Sequence, residues 1–338
     1  MSPLGDVYKA ALPSGLKAED AYKPRTEVYV CLGKQFRGER ELHIALGSLA
    51  RAAKQQNVLT TYLQLSGIAD APELATIDAT QSTDNSDCKL KTVSQEELIN
   101  ESHCTAAVLR GLIEKGILQT YRKEVGRLNN SYGEVQPNAI HPLNEAQSTA
   151  YDKLLLQMMS HNVTLLHGVT SSGKTEIYIH LILKALQERK QVLYLLPEIA
   201  LTVQMTDRLR RVFGNKLGIY HSRYNDDERV EIWKKQLSST PYDVVLGARS
   251  AVFLPFQRLG LVIVDEEHET SFKQQDPAPR YHARSAAIVL AQMYGAKTLL
   301  GTATPSAESY RNAQLGKYGL VTLSQRYKDI QLPAIEVV

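Results

Sequence analysis

The stretch His167-Gly168-Val169-Thr170-Ser171-Ser172-Gly173-Lys174-Thr175 decides the fold. It fits the phosphate-cradling pattern Gly-x-x-x-x-Gly-Lys-Thr. An apolar run from Val163 to Leu166 precedes it and reads as a buried strand. Ile177, Ile179, Leu181, Ile182, Leu183, Ala185 and Leu186 follow at helical spacing, up to Arg189. Strand, glycine loop and helix in that order are the context the motif needs. Glycines let the backbone curl so that several N–H groups face a phosphate, and the helix N-terminus adds positive partial charge. Gly168, Thr170, Ser171, Ser172 and Gly173 are therefore expected to wrap a nucleotide's phosphates. Lys174 would reach the terminal phosphates of ATP, and Thr175 would ligate magnesium.

Outward from the loop, apolar runs recur at Val192–Leu196, Leu217–Tyr220, Val244–Leu246, Leu261–Val264 and Thr298–Leu300. Amphipathic helical stretches lie between them, among them Glu228–Leu237 and Arg284–Tyr294. Near-continuous apolar strands separated by helices imply a parallel sheet covered on both faces. Residues 137–338 thus read as one α/β, RecA-like P-loop lobe. In such sheets ligands gather at the carboxyl ends of strands. The run Leu261-Val262-Ile263-Val264 ends in Asp265-Glu266-Glu267-His268. Asp265 would hold magnesium through water, and Glu266 would orient or deprotonate the attacking water. Lys174, Asp265 and Glu266 are the expected catalytic set.

The residues before the lobe read differently. Residues 1–36 hold Pro3, Pro13 and Pro24 without a clear period and read as a connecting segment. Residues 37–130 read as a winged-helix domain. Glu39 to Leu65 is helical, with two apolar stripes. Ala71 to Thr92 is polar and reads as a flexible insert. Ser94-Gln95-Glu96-Glu97 is a capping box that opens a short helix, and Cys104 to Lys115 forms another, closed by Gly116. Ile117 to Lys123 reads as a strand running to a basic hairpin tip near Arg127. Helix, short helix, helix and basic wing is a helix-turn-helix order. Arg110, Lys115, Arg122, Lys123 and Arg127 either meet DNA or form a solvated face.

Composition sets outer bounds. The 338 residues suit two domains and carry a net charge of +3, which permits a nucleic-acid partner without demanding one. Cys31, Cys88 and Cys104 form no Cys-x-x-Cys pair, so a disulfide framework or zinc knuckle is not expected here. No apolar run approaches a membrane span and no signal core opens the chain. A cytoplasmic setting without membrane contact is expected.

Several motifs together carry a resemblance. Asp265-Glu266-Glu267-His268 resembles motif II of superfamily-two helicases, and Gly301-Thr302-Ala303-Thr304-Pro305-Ser306 resembles their motif III. Gln147, in Leu143-Asn144-Glu145-Ala146-Gln147, stands where these enzymes keep an adenine-reading glutamine. Pro197-Glu198-Ile199-Ala200-Leu201-Thr202 resembles the strand-binding motif Ia, and Gly247-Ala248-Arg249-Ser250-Ala251 a further DNA-contacting element. Phe272-Lys273-Gln274-Gln275 with Arg280-Tyr281-His282-Ala283-Arg284 resembles the aromatic-rich loop of the PriA family (primosomal protein N′). Lys9-Ala10-Ala11-Leu12-Pro13 and His221-Ser222 are similar to that family too. Ser285 stands where the family usually has Asp.

The resemblance implies an ATP- and magnesium-dependent helicase moving 3′ to 5′ on DNA. Such proteins recognise branched or stalled replication forks and initiate primosome assembly for replication restart. Branched and single-stranded DNA, single-stranded DNA-binding protein and other primosome proteins are the implied partners. Phe272 and Tyr281 would stack on bases, while Lys273, Arg280, Arg284, Arg249 and Ser250 would meet the strand. A second lobe with an arginine finger and a cysteine-rich zinc module are absent from these residues. The expectation is a fragment with half an ATP site, weakly active alone, with zinc needed only in the missing part. An RNA helicase of the same superfamily, or a non-catalytic docking module on a P-loop scaffold, are the alternatives.

Overall fold

The computed structural model describes residues 3–17, 22–77, 90–126, 139–221 and 224–326. Contacts divide the chain into two units, Pro24–Gly126 and a larger one made of Met1–Lys23 with Arg127–Val338. Among the described residues no helix is long and apolar enough to cross a membrane.

The smaller unit contains strand β1 (Thr26–Leu32), β2 (Val93–Ser94) and β3 (Leu118–Glu124). β1 lies between the other two and pairs antiparallel with both. Its register with β3 is complete, from Thr26 opposite Glu124 to Leu32 opposite Leu118. Four helices accompany the sheet: α2 (Glu39–Ser48), α3 (Ala53–Ser66), α4 (Gln95–Ser102) and α5 (Ala106–Glu114). Val30, Leu32, Leu49, Leu59, Leu98, Leu112 and Leu118 share one core. The capping box opening α4 is present: Glu97 N–H donates to the Ser94 hydroxyl at 3.1 Å, and Ser94 N–H to the Glu97 carboxylate at 3.4 Å.

Three expectations change here. The helix read over Glu39–Leu65 is two helices, α2 and α3, because neither apolar stripe continues into the other. The segment read as a connector over 1–36 is not one. β1 is the central strand of the smaller unit, and α1 (Leu4–Ala11) belongs to the larger. The insert read over Ala71–Thr92 begins with a helical turn at Pro72–Thr76, whose Leu74 and Ala75 enter the core. Its residues 78–89, like the hairpin tip at Arg127, lie outside the described residues.

The larger unit is built on seven parallel strands: β4 (Val163–Gly168), β5 (Gln191–Leu195), β6 (Leu217–Tyr220), β7 (Val244–Gly247), β8 (Leu259–Asp265), β9 (Lys297–Thr302) and β10 (Gly319–Leu323). Their order is β10-β4-β9-β8-β5-β7-β6. Six coincide with apolar runs because both faces are covered. One face packs α6 (Glu145–Ser160), α7 (Lys174–Gln187) and α8 (Val203–Phe213) through Leu154, Ile177, Ile182, Leu209 and Phe213. The other packs α9 (Asp226–Leu237), α10 (Ala283–Met293) and α11 (Ala307–Gln314) through Ile232, Ala287 and Ala313. The leading segment joins this unit at α9, where the Tyr22 hydroxyl donates to Glu231 at 3.4 Å and Lys234 lies 4.0 Å over the Tyr22 ring.

Candidate active site

The sheet order explains the site. β4 delivers the glycine loop and β8 delivers Asp265, with β9 between them, so both loops emerge at the same carboxyl edge. Lys174 opens α7 directly behind the loop. Its Nζ donates to the Gly168 carbonyl at 3.0 Å and lies 4.0 Å from the Glu266 carboxylate. The lysine is thus held across the mouth of the loop, close to the acid expected to handle water.

Asp265 is buried and heavily hydrogen-bonded. The Tyr178 hydroxyl donates to its Oδ1 at 3.0 Å, Glu266 N–H to the same oxygen at 3.1 Å, and the Tyr194 hydroxyl to Oδ2 at 3.2 Å. Burial, followed by the neighbouring Glu266 carboxylate, raises its carboxyl to about 6, against the opposing pull of Lys174 and the Tyr178 hydrogen bond. Burial, followed by the Asp265 carboxylate they bond to, pushes both tyrosine hydroxyls well above their ordinary range, so they remain donors. Glu266 sits at φ 48°, a left-handed conformation costing on the order of 1 kcal/mol for a residue with a side chain.

The residues fit a magnesium nucleotide. A Cβ at Gly168 would meet the Lys174 side chain and the Ser172 hydroxyl at 3.1 Å, so glycine here gives both side chains room at the loop. The Ser172 hydroxyl, beside position 168 in the loop, is buried without a hydrogen-bond partner. Magnesium commonly takes one or two carboxylates together with substrate phosphates; Asp265 would offer the carboxylate at this edge, and Thr175 a hydroxyl.

Gln147 is placed differently from expectation. It is 1% exposed and its amide is engaged at both ends. Its Oε1 accepts from Asn144 N–H at 3.0 Å, and its Nε2 donates to the carbonyls of Ser172 at 3.1 Å and Gly173 at 3.4 Å. Here it caps α6 and braces the glycine loop rather than presenting a free amide to a base.

Beyond Asp265 and Glu266 the turn after β8 ties further elements together. Glu267 is fully buried and receives Arg284 at 2.6 Å, Ser306 N–H at 2.7 Å and the Ser309 hydroxyl at 2.9 Å. His268 Nδ1 lies 2.8 Å from the Thr302 hydroxyl, and its Nε2 3.3 Å from that of Thr304. A residue-type reading gave no roles to Tyr178, Tyr194 or Glu267. Glu267 stood inside the quoted motif, and Tyr178 follows Lys174 by one helical turn.

Comparison with known proteins places the chain in a family. The family description for DEAD/DEAH box helicases matches residues 144–313, half of the chain. The chain belongs to the DEAD/DEAH box helicase family. A second description, the winged helix domain of PriA helicase from Bacteroidota, matches residues 27–125. The chain is 39% identical over 247 residues to the replication restart protein PriA of Bacillus subtilis, covering 72% of this chain and 30% of that protein. With its counterpart in Haemophilus influenzae it shares 42% over 226 residues, covering 66% of this chain and 30% of the relative. The chain therefore spans about three tenths of the length of these relatives. The Pyrococcus furiosus Hef helicase domain is similar at 18% identity with a TM-score of 0.41, over 58% of this chain and 41% of that one.

In this PriA-like helicase lobe, several residues expected on DNA have internal partners. Phe272 is 1% exposed and belongs to the core beneath β8 and α10, so it has no face to offer a base. Its turn, Thr270–Phe272, directs the ring inward. Arg284 is committed to Glu267 and Ser306, at 2.6 Å each. Arg249 donates to the carbonyls of Ser271 at 3.3 Å and Lys273 at 3.2 Å, anchoring the aromatic-rich loop rather than pointing outward. Lys273 donates to the Arg280 carbonyl at 2.9 Å. Tyr281 packs edge-on against Phe253, with ring centres 4.9 Å apart, and Ser250 is half-buried. Arg280 is exposed. In the winged unit Arg110 and Arg122 are exposed, and Lys123 lies 5.8 Å over the Tyr29 ring.

Proposed function

We propose that this chain carries the winged helix and the first ATP-binding lobe of a 3′-to-5′ DNA helicase that recognises branched or stalled forks and initiates primosome assembly for replication restart. The observation carrying this reading is the Lys174 ammonium poised between the glycine loop and Glu266, 4.0 Å away, with Asp265 one residue earlier. In that arrangement Lys174 binds the terminal phosphates and Glu266 orients the attacking water. Asp265 offers its carboxylate to the ion's water shell. Magnesium, when bound, neutralises phosphate charge during hydrolysis. Gly168, Thr170, Ser171, Ser172 and Gly173 wrap the phosphates, and Gln147 reaches adenine only by leaving the loop carbonyls it now holds. Arg280, Arg110 and Arg122 are exposed cations that would meet phosphates of the nucleic acid. Lys273, Tyr281 and Lys123 contribute once their internal contacts open, and Ser250 lies half-buried beside Arg249. A cytoplasmic setting, with single-stranded DNA-binding protein and other primosome proteins as partners, goes with this reading. Zinc belongs to a cysteine-rich module of the family rather than to the residues described.

A fluorescent ATP analogue tests the reading directly. Lys174→Ala should weaken its binding by at least about tenfold, since a phosphate loses a charge-assisted hydrogen bond. Binding to a forked DNA should stay unchanged and should resist competition by RNA of the same shape. Full nucleotide affinity in the variant would remove the ATP site from the proposal, and preference for RNA would favour an RNA helicase.

A further inference from the structure

We propose that Tyr178 and Tyr194 are positioning residues that aim the Asp265 carboxylate at the magnesium of a bound nucleotide. The inference rests on the nucleotide reading above and adds to it two residues outside the motifs. A carboxylate has about four lone-pair sites. Three are taken here: two on Oδ1, by the Tyr178 hydroxyl at 3.0 Å and Glu266 N–H at 3.1 Å, and one on Oδ2, by the Tyr194 hydroxyl at 3.2 Å. One site on Oδ2 is left. The carboxylate cannot turn without losing hydrogen bonds to a charged acceptor, so the direction of the open site is fixed.

The donors are themselves rigid. Both tyrosines are completely buried, and their rings meet edge-on with centres 5.7 Å apart. Tyr178 lies on α7 one turn beyond Lys174, so a single helix sets both the phosphate-binding lysine and the carboxylate's orientation. Tyr194 lies on β5, the strand next to β8. β9 completes the slot: a Cβ at Gly301 would overlap the Tyr178 hydroxyl and contact Asp265 at 3.4 Å. The slot is shaped around the hydroxyl itself, and the hydroxyl is directed at the acid.

The test is a magnesium titration of mant-ADP binding, followed by fluorescence anisotropy and started in EDTA. Tyr178→Phe and Tyr194→Phe should each raise the half-saturating magnesium concentration by about tenfold, with the metal-free affinity kept within about twofold. On an Asp265→Asn background neither change should shift the curve further, because the group they orient is gone. Wild-type magnesium curves in both folded variants would overturn the proposal. So would an equal loss on the Asp265→Asn background, which would mark a packing role. If thermal melting shows Tyr178→Phe unfolded, Tyr194→Phe decides, since it removes the donor to the other oxygen. If the wild-type chain shows no mant-ADP binding at any magnesium concentration, the nucleotide reading fails with it, an outcome distinct from a normal wild-type curve shared by the variants.

Discussion

Asp265 has to be ionised to meet a magnesium ion, yet burial lifts its carboxyl to about 6. The folded chain therefore holds this proton more tightly than the unfolded chain does. The stabilisation from protonation is complete below the ordinary carboxylate value and is lost as pH rises through about 6. At neutral pH the ionised carboxylate costs the nucleotide-free fold up to about 3 kcal/mol, at about 1.4 kcal/mol for each tenfold change in proton affinity. Asp265→Asn should accordingly resist urea better than the wild type at pH 7.5, with the advantage shrinking to little by pH 4. Equal stability at both pH values would show that the surroundings already compensate the charge. Gln147 and Phe272 mark the limit of residue types as guides. Each was readable as a ligand group, but a buried polar atom has to find a partner wherever it lies, and a ring gains most from the core. Which demand wins depends on burial, and burial at a single position in the first turn of a helix or in a short turn leaves no period in the sequence.

At the scale of elements, Glu267 joins three of them. It receives Arg284 at the start of α10 and Ser306 and Ser309 at the start of α11, all from the turn after β8. Removing one partner of a buried pair strands the other charge, so Glu267→Ala should cost about 3 kcal/mol in urea denaturation. A loss below about 1 kcal/mol would mean that water reaches Arg284 readily. Element identity was largely legible in the lobe, because parallel strands covered on both faces appear as unbroken apolar runs. β10 escaped notice for the opposite reason. Only alternate residues of Gly319–Leu323 are buried, and Leu320 is 37% exposed. β1 escaped because its partner β3 lies about ninety positions later, and the prolines preceding it made Thr26–Leu32 look like part of a connector. Glycine loop, motif II and motif III were legible as motifs because their spacing is local.

For the whole molecule, the winged unit Pro24–Gly126 is an insertion within the larger unit's sequence. Its first and last strands, β1 and β3, are paired along their full length, so the points where the chain enters and leaves it are neighbours. Replacing residues 24–126 by a short Gly-Ser link should leave a lobe that still melts cooperatively and binds mant-ADP within about threefold of the intact chain, since closing a short loop between neighbouring ends costs little. A lobe that fails to fold without the insertion would show that the two cores depend on each other. The Tyr22 hydroxyl finds its acceptor on Glu231, 209 residues further along. On the ribosome the order of events follows from that separation. The winged unit can close as soon as β3 has emerged, while the segment leading into it stays without its seat until α9 has been synthesised.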